Sequence, residues 1–292
     1  MEFRQLQHFV AVAEEGTISG ASRRLSLAQP AISTSIKKLE ASLGAPLFHR
    51  KERGVDLTIA GQSFLLQAKQ ILKLASDAEL SIQNLGSLDK GEVEFGAPSM
   101  MGSYFFPPIL MAFKHQYPGL QLSIVDDGTR NIREMLLNDE LELGVIADQY
   151  LTPELESGKL IQEEMVVCMA ADHPLAEKER IEYSDFLAHE LVLFRKGYYH
   201  HSLIEKISRE ENVLPKIAFS SNLLPLIKSV IRQGFAISPM WKVAIQDDDH
   251  IVTRRFAKPF YIDLSLAWRK NRYLSSANQA FRDFVLETVN QK

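Results

Sequence analysis

Polar and cationic side chains that could recognise a ligand recur at helical spacing near the N-terminus. Gln29 and Ser33 are four residues apart, Thr34 follows directly, and Lys37 comes one helical turn after Ser33. Amide and hydroxyl groups hydrogen bond to base edges, and an ammonium group pairs with phosphate. These residue types at this spacing predict recognition of double-stranded DNA by the start of one helix.

Motifs for enzymatic chemistry are missing from the sequence. It contains no Gly-x-Ser-x-Gly, no Gly-Lys-Ser phosphate loop and no His-Glu-x-x-His. His200 and His201 are adjacent, so their side chains diverge on a helix or strand and do not chelate one metal ion. We therefore predict no catalytic residue, no metal site and no cofactor. An enzyme with an attached DNA-binding domain is an alternative that requires a catalytic group.

Two short amphipathic helices joined by a tight turn are expected to position the DNA-reading side chains. Thr17 or Ser19 can cap the first of them, and Pro30 suits the first turn of the second, which Gly44 ends. Pro30 also offers apolar contact to a base. The apolar residues at helical spacing, in these helices and in the one before them, are Phe3, Leu6, Phe9, Val10, Ala13, Ile18, Ala21, Leu25, Ile32, Ile36, Leu39 and Leu43.

A two-stranded wing with basic residues is predicted over residues 47–58. Arg50 and Arg53 lie near its tip and are expected to contact phosphates. The first 60 residues carry eight Lys and Arg against six Asp and Glu, whereas the whole chain has a net charge of −4. The positive charge is therefore concentrated where DNA would bind, and the remainder of the chain is acidic.

The N-terminal sequence resembles the winged helix-turn-helix of LysR-type transcriptional regulators. Thr34 and Ser35 stand where longer polar or basic side chains are common in that family. The matching segments are Phe9-x-Ala-Val-Ala13, Gly16-Thr-Ile-Ser19, Ala21-Ser-x-x-Leu25, Gln29-Pro-Ala-Ile-Ser33, Ile36-x-x-Leu-Glu40, Leu43-Gly44, Leu47-Phe-x-Arg50 and Leu57-Thr-x-Ala-Gly61.

An unbroken helical pattern runs from about Ile59 to Leu88. A helix of about 30 residues is about 45 Å long, which is more than one small winged domain can cover. Pairing with a second copy of the chain is therefore expected, and packing within the chain is the alternative. The resemblance implies a helix that links and dimerises the DNA-binding domains, within a homodimer or homotetramer.

Strands and helices alternate after a hinge at 86–91, which predicts an α/β fold with two lobes joined by crossing strands. The resemblance implies an effector-binding domain similar to periplasmic binding proteins. The expected domains are a winged helix-turn-helix at 1–60, a linker helix and hinge at 61–90, and an effector-binding domain at 91–292. Lobe I is expected at 91–162 and 268–292, and lobe II at 163–267.

Ligand-binding side chains are predicted at the strand ends that border the cleft between the lobes. Ser99 and Ser103 either contact a bound anion or cap a helix, and Arg195 either holds a carboxylate or lies on an exposed basic surface. The effector expected is a small organic anion. The residues predicted to contact it are Ser99, Met100, Ser103, Thr129, Ile146, Arg195 and Ser221.

The composition fits this interpretation. The single cysteine, Cys168, excludes an internal disulfide, and no apolar run approaches the roughly 20 residues that span a bilayer. We expect a cytoplasmic protein with no membrane partner, which regulates transcription in response to a small molecule. An architectural DNA-binding protein that responds to no ligand is the alternative.

Overall fold

The computed structural model describes residues 1–51, 54–83, 88, 90–245 and 248–291. Five further side chains within that range are outside the description, namely those of Arg50, Asp77, Leu80, Ser81 and Gln83. The chain divides into two compact units, Met1–Leu85 and Gly86–Lys292.

The first unit begins with three helices, and their boundaries follow from local capping. Thr17 caps α2 by accepting a hydrogen bond from Gly20 N–H at 3.0 Å, and Pro30 occupies the first turn of α3. Gly44 ends α3 with a φ of 68°, a left-handed conformation that glycine adopts without a steric penalty. The helices are α1 (Phe3–Glu15), α2 (Ile18–Leu25) and α3 (Gln29–Leu43).

The wing consists of β1 (Phe48–Lys51) and β2 (Gly54–Leu57), which pair antiparallel with Phe48 opposite Leu57. It is fixed to the turn between α1 and α2, because Val55 N–H donates to the Gly16 carbonyl at 2.9 Å. Gly54 has a φ of 102°, and a Cβ there would lie 2.7 Å from that carbonyl oxygen. Only glycine allows this close approach.

The core of the first unit contains most of the apolar residues predicted for it. Phe9 is fully buried between the rings of Phe48 and Phe64, each with a centroid distance of 5.2 Å. Ala21 is also fully buried, as expected for a residue at a close helix crossing. The prediction was wrong for Phe3 and Leu43, which are 45% and 39% exposed because each lies at the end of its helix.

The long helix α4 spans Ile59–Gln83. Thr58 caps it by accepting a hydrogen bond from Gly61 N–H at 2.9 Å, and the Thr58 hydroxyl donates to the Pro46 carbonyl at 2.7 Å. Part of the predicted helix, residues 84–87, lies outside the described residues. No helix in the described part of the chain is long and apolar enough to cross a membrane.

The second unit is an α/β domain with mixed strand pairing. Its helices are α5 (Phe106–Gln116), α6 (Thr129–Leu137), α7 (Tyr183–Leu187), α8 (Tyr199–Glu211), α9 (Leu224–Arg232) and α10 (Ser276–Asn290). Its strands are β3 (Gly91–Ala97), β4 (Leu120–Asp126), β5 (Leu143–Ala147), β6 (Leu155–Ala170), β7 (Arg180–Ile181), β8 (Glu190–Leu193), β9 (Lys216–Ser220), β10 (Ser238–Trp241) and β11 (Ile251–Arg269).

Two long strands connect the lobes of this unit, as the fold prediction required. β6 and β11 pair antiparallel along nearly their whole lengths, with β10 beside β6 and β5 beside β11 in the order β10-β6-β11-β5-β3-β4. Lobe I thus carries β3, β4, β5 and α10, and lobe II carries β7 to β10 with α7 to α9. The expected boundary between lobe II and the C-terminal part of lobe I, at residue 267, would assign Leu264–Ala267 to lobe II although they pair with β5 of lobe I. We therefore place this boundary before Leu264.

Candidate DNA interface and interlobe cleft

The start of α3 presents the predicted DNA-reading side chains to solvent. Gln29 and Pro30 are its first two residues and are exposed, and Thr34 and Lys37 are exposed further along the helix. Ser33 is half-buried against the wing, in a small crevice that Phe48 and Val55 also line. Four of these five residues are therefore available to a groove of DNA, and Ser33 is partly covered.

The cations of this unit differ in whether a carboxylate neutralises them. Arg24 pairs with Glu14 at 2.7 Å, and Lys69 pairs with the same carboxylate at 2.7 Å. These two cations lower the pKa of Glu14, chiefly through the hydrogen bond from Lys69. Within the described residues, Lys37 has no carboxylate partner, so its charge is available to a phosphate.

A hydrogen bond on the other side of α3 fixes the helix to α1. His8 Nδ1 and Ser35 Oγ lie 2.8 Å apart. Burial, with a smaller contribution from the charge of Arg4, lowers the pKa of His8. Ser35 is thereby held against the domain, and the exposed hydroxyl at this point of α3 is that of Thr34.

The position of the wing relative to α3 is set by Glu40. Its Oε1 accepts hydrogen bonds from the backbone N–H of Leu47 at 2.8 Å and of Phe48 at 3.2 Å. Two of the predicted phosphate contacts are in the wing. Arg50 belongs to β1, but its side chain is outside the described residues. Arg53 is outside them entirely. Both remain predictions.

In the second unit, side chains from the two lobes meet at the carboxylate of Asp126. This residue ends β4 in lobe I, and it accepts hydrogen bonds from Ser99 Oγ at 2.8 and 2.9 Å. From lobe II, the Tyr198 hydroxyl donates to Asp126 Oδ1 at 3.1 Å. Burial, with the negative charge of Asp126, raises the pKa of Tyr198 to about 12, so this hydroxyl stays protonated.

Two further contacts join the lobes. Lys228 Nζ, on α9, donates to the Tyr104 hydroxyl at 2.6 Å. A Cβ on Gly128 would lie 2.0 Å from the carbonyl oxygen of Gly197, so only glycine permits this approach of the two backbones. Tyr104 belongs to a π-helical turn, Met101–Phe105, which precedes α5. Such turns are frequent at functional sites.

The other predicted ligand contacts occupy different environments. Thr129 is 1% exposed, and its Oγ1 has no hydrogen-bond partner in the described structure. Ser221 Oγ accepts a hydrogen bond from Leu223 N–H at 3.1 Å, which forms a turn just before α9. Met100 is buried, whereas Ser103 and Arg195 are exposed. Arg195 is fixed through its backbone N–H, which donates to Asn222 Oδ1 at 3.1 Å.

One sequence-based expectation needs correction. Ile146 is fully buried in an apolar cluster with Ile132 and Leu136, so it supports the lobe I sheet and does not line the cleft. The segment after β8 is a loop as far as Tyr198, and α8 begins at Tyr199. His200 consequently points into lobe II, with its ring 4.8 Å from that of Phe194 and 5.6 Å from that of Trp241.

Asp126 and Tyr198 were not among the predicted ligand contacts. Asp126 is the last residue of β4, and Ser99 lies two residues after the end of β3, so the position of Asp126 at a strand end was a usable signal. The predicted ligand was an anion, which favoured hydroxyl groups and cations over carboxylates as its contacts. Tyr198 stands 72 residues from Asp126 in the chain, so no local pattern could join them.

Known proteins resemble the chain over its whole length. Residues 3–62 match the family described as bacterial regulatory helix-turn-helix protein, lysR family, and residues 86–290 match the LysR substrate binding domain. The uncharacterized HTH-type transcriptional regulator YybE of Bacillus subtilis (strain 168) is 28% identical over 287 residues, which cover 98% of each chain.

Solved structures agree with this assignment. Full-length CbnR complexed with its target DNA superposes with a TM-score of 0.75 at 25% identity, and the match covers 99% of this chain and 100% of that one. A full-length OxyR variant from Pseudomonas aeruginosa gives a TM-score of 0.72 at 25% identity, covering 98% and 94%. The chain belongs to the LysR family of bacterial DNA-binding transcriptional regulators.

Proposed function

We propose that this protein binds a promoter through α3 and the wing, and that a small molecule held between the lobes of the second unit modulates this binding. The single observation that supports the DNA contact best is the exposed start of α3, with Gln29, Pro30 and Thr34 beside an unpaired Lys37. CbnR, which has the same fold, was solved in complex with its target DNA.

In this proposal the residues divide between sequence reading and positioning. Gln29, Ser33 and Thr34 contact base edges, and Pro30 contacts a base through its ring. Lys37, Arg50 and Arg53 bind phosphates, which fixes the register of the helix in the major groove. A dimer places two such helices on successive half-sites of the same DNA.

Exposed apolar residues on α4 support self-association. Ile59 is 88% exposed, Leu74 is 50% exposed and Ile82 is 67% exposed. With Leu66 and Ile71 they fall within an arc of about 160° around a helix of 3.6 residues per turn. A stripe of this width is covered when two copies of α4 pair. The proposed assembly is a homodimer or homotetramer.

The cleft supports ligand response because a ligand there can compete with the groups that join the lobes. Among the described residues, these groups include Tyr198 and Lys228, through their hydrogen bonds, and Gly128 at its close approach to Gly197. A ligand that prefers one arrangement of the lobes would shift the population of that arrangement. An organic anion is the proposed class, with its negative group at Arg195 and its other polar groups near Ser99.

A two-step experiment tests this function. DNA that binds the full-length protein is first selected from a random-sequence library, and the footprint on the selected DNA is then recorded with and without a panel of metabolites. We expect a sequence-specific footprint whose length or intensity changes with at least one compound. A footprint that no compound alters would favour an architectural protein, and failure to select any sequence would refute DNA recognition.

A further inference from the structure

Asp126 is exposed, and among the described residues its carboxylate receives only neutral hydrogen-bond donors. Its partners are Ser99 Oγ from its own lobe and the Tyr198 hydroxyl from the other. Within the described part of the chain, neither Asp126 nor the adjacent Asp127 forms an ion pair with a Lys, Arg or His side chain. Asp127 Oδ1 accepts hydrogen bonds from Gly128 N–H at 2.7 Å and from Asn131 Nδ2 at 2.9 Å.

An uncompensated carboxylate in a ligand cleft favours a cationic ligand group. A hydrogen bond between an ionised donor and a carboxylate is roughly twice as strong as a neutral one. The Tyr198 hydroxyl is a neutral donor, so a ligand ammonium group that replaces it at Asp126 forms the stronger hydrogen bond. A carboxylate of the ligand at the same point would instead be repelled.

Thr129 provides independent support for a ligand beside Asp126. Its Oγ1 is buried and has no partner in the described structure, although a buried hydroxyl normally forms a hydrogen bond. Thr129 follows Gly128, whose backbone meets that of Gly197 in lobe II. A polar ligand held between these segments would satisfy a hydroxyl that the described residues leave without a partner.

The lobe II segment that carries Tyr198 is basic. Arg195 and Lys196 are exposed, have no carboxylate partner within the described residues, and immediately precede Gly197 and Tyr198. The backbone N–H of Tyr198 donates to the Arg195 carbonyl at 3.3 Å, which fixes this loop close to Asp126. The two segments that meet at the contact between Asp126 and Tyr198 therefore carry charges of opposite sign.

We infer that the effector is a zwitterion of the amino-acid type, whose ammonium group binds Asp126 and whose carboxylate faces Arg195. This rests on the proposed function, because it names the chemical class of the ligand for the same cleft. The proposed ligand is thus an organic anion that also carries an amine. Asp126 is the residue that selects for that amine.

The test measures binding of three matched sets of compounds to the full-length protein by calorimetry. The sets are the common L-amino acids, the same skeletons without the amino group, and the same skeletons without the carboxylate. At least one amino acid is expected to bind, and removing its amino group is expected to weaken binding at least about tenfold, which is about 1.4 kcal/mol. Calcium and magnesium chloride, tested alone, are expected not to bind.

Two variants test whether Asp126 confers the preference for a ligand with an amino group. Asp126→Asn is expected to weaken binding of the amino acid by about tenfold and to leave the affinity for its deaminated analogue unchanged. Asp283→Asn, on the surface of α10, is the matched control and is expected to change neither affinity. Tyr198→Phe keeps the carboxylate of Asp126, so it is expected to retain the preference for the amine even if Asp126→Asn fails to fold.

Four results would overturn the inference. The first is a deaminated acid that binds as tightly as the amino acid, and the second is a divalent metal that binds alone. The third is a loss of amine preference in Tyr198→Phe, and the fourth is absence of binding by every amino acid. None of these results refutes the proposed function, which fails only if the footprint experiment gives no specific DNA binding or no response to any metabolite.

Discussion

Glu40 lies beneath the wing, with its Oε1 2.8 Å from the backbone nitrogen of Leu47. The same oxygen accepts a second hydrogen bond from Phe48 N–H at 3.2 Å. One carboxylate on α3 therefore fixes the segment that leads into the wing. The residues that would contact bases and those that would contact phosphates are held in one rigid arrangement.

Replacing Glu40 by alanine should destabilise the first unit and weaken DNA binding. The substitution leaves two backbone N–H groups without their acceptor, for which we expect a loss of about 1–3 kcal/mol in the free energy of unfolding. Glu40→Gln keeps an acceptor oxygen at that position and should recover most of the loss. Denaturation monitored by circular dichroism checks this. Equal stability of the alanine variant and the wild type would contradict it.

Lys37→Ala should weaken binding to all DNA sequences to a similar extent. Loss of one phosphate contact should reduce the slope of log K against log salt concentration by about 0.9. Binding titrations at several salt concentrations measure this slope. Lys270→Ala removes an exposed lysine from the second unit and is the control. An unchanged slope in Lys37→Ala would show that this side chain does not contact phosphate.

Gln29→Ala should change which sequence is preferred. A side-chain amide that reads a base edge contributes about 1–3 kcal/mol of discrimination at one base pair. Selection of binding sites with the variant should therefore give a site that is less defined at one position in each half. An identical selected sequence for variant and wild type would remove Gln29 from the residues that read bases.

His200 should make the second unit less stable in acid. It is 2% exposed, neither ring nitrogen has a hydrogen-bond partner in the described structure, and burial lowers its pKa to about 3. In the unfolded state His200 has a pKa near 6.5 and binds a proton that the buried imidazole of the folded state does not bind. The contribution of His200 to the free energy of unfolding is therefore fully present above about pH 6.5 and is lost as the pH decreases towards 3.

The substitution His200→Phe should remove this contribution to the pH dependence. The difference in unfolding free energy between variant and wild type should grow by about 2 kcal/mol between about pH 7.5 and about pH 5, in favour of the variant. Chemical denaturation at each pH measures it, with His115→Gln at an exposed position as control. Parallel curves for His200→Phe and wild type would contradict the assignment.

Leu74→Glu should dissociate the assembly. It places a charge in the exposed apolar stripe of α4, where Leu74 is 50% exposed. Ser76→Glu adds the same charge about 200° around the helix and should leave the assembly intact. Sedimentation velocity distinguishes the two. A Leu74→Glu protein that sediments as the wild type does would place the pairing surface elsewhere.

The first unit was predictable because its signals are local. Thr17 and Gly44 mark helix ends by their own chemistry, and the apolar spacing of residues such as Phe9 and Ile32 identifies the buried faces. Each of these signals lies within a few residues of the feature that it specifies. The type of fold and the positions of the first three helices could therefore be inferred before the structure was known.

The cleft was less predictable, because its geometry depends on contacts between distant parts of the chain. The first half of β6 carries little sequence signal, since the stretch from Glu156 to Gln162 is largely polar and has no apolar alternation. That stretch pairs with β11, more than 100 residues later. The hydrogen bond between Tyr198 and Asp126 depends on this pairing and on the resulting position of the lobes.

The contact between α3 and DNA is tested most directly by hydroxyl-radical footprinting of the full-length protein on its selected DNA. We predict protected segments separated by about 10 base pairs or a multiple of that distance, as expected for two recognition helices on one face of the duplex. The same protection should disappear in the double variant Gln29→Ala, Lys37→Ala. Undiminished protection in the double variant would contradict the placement of α3 in the major groove.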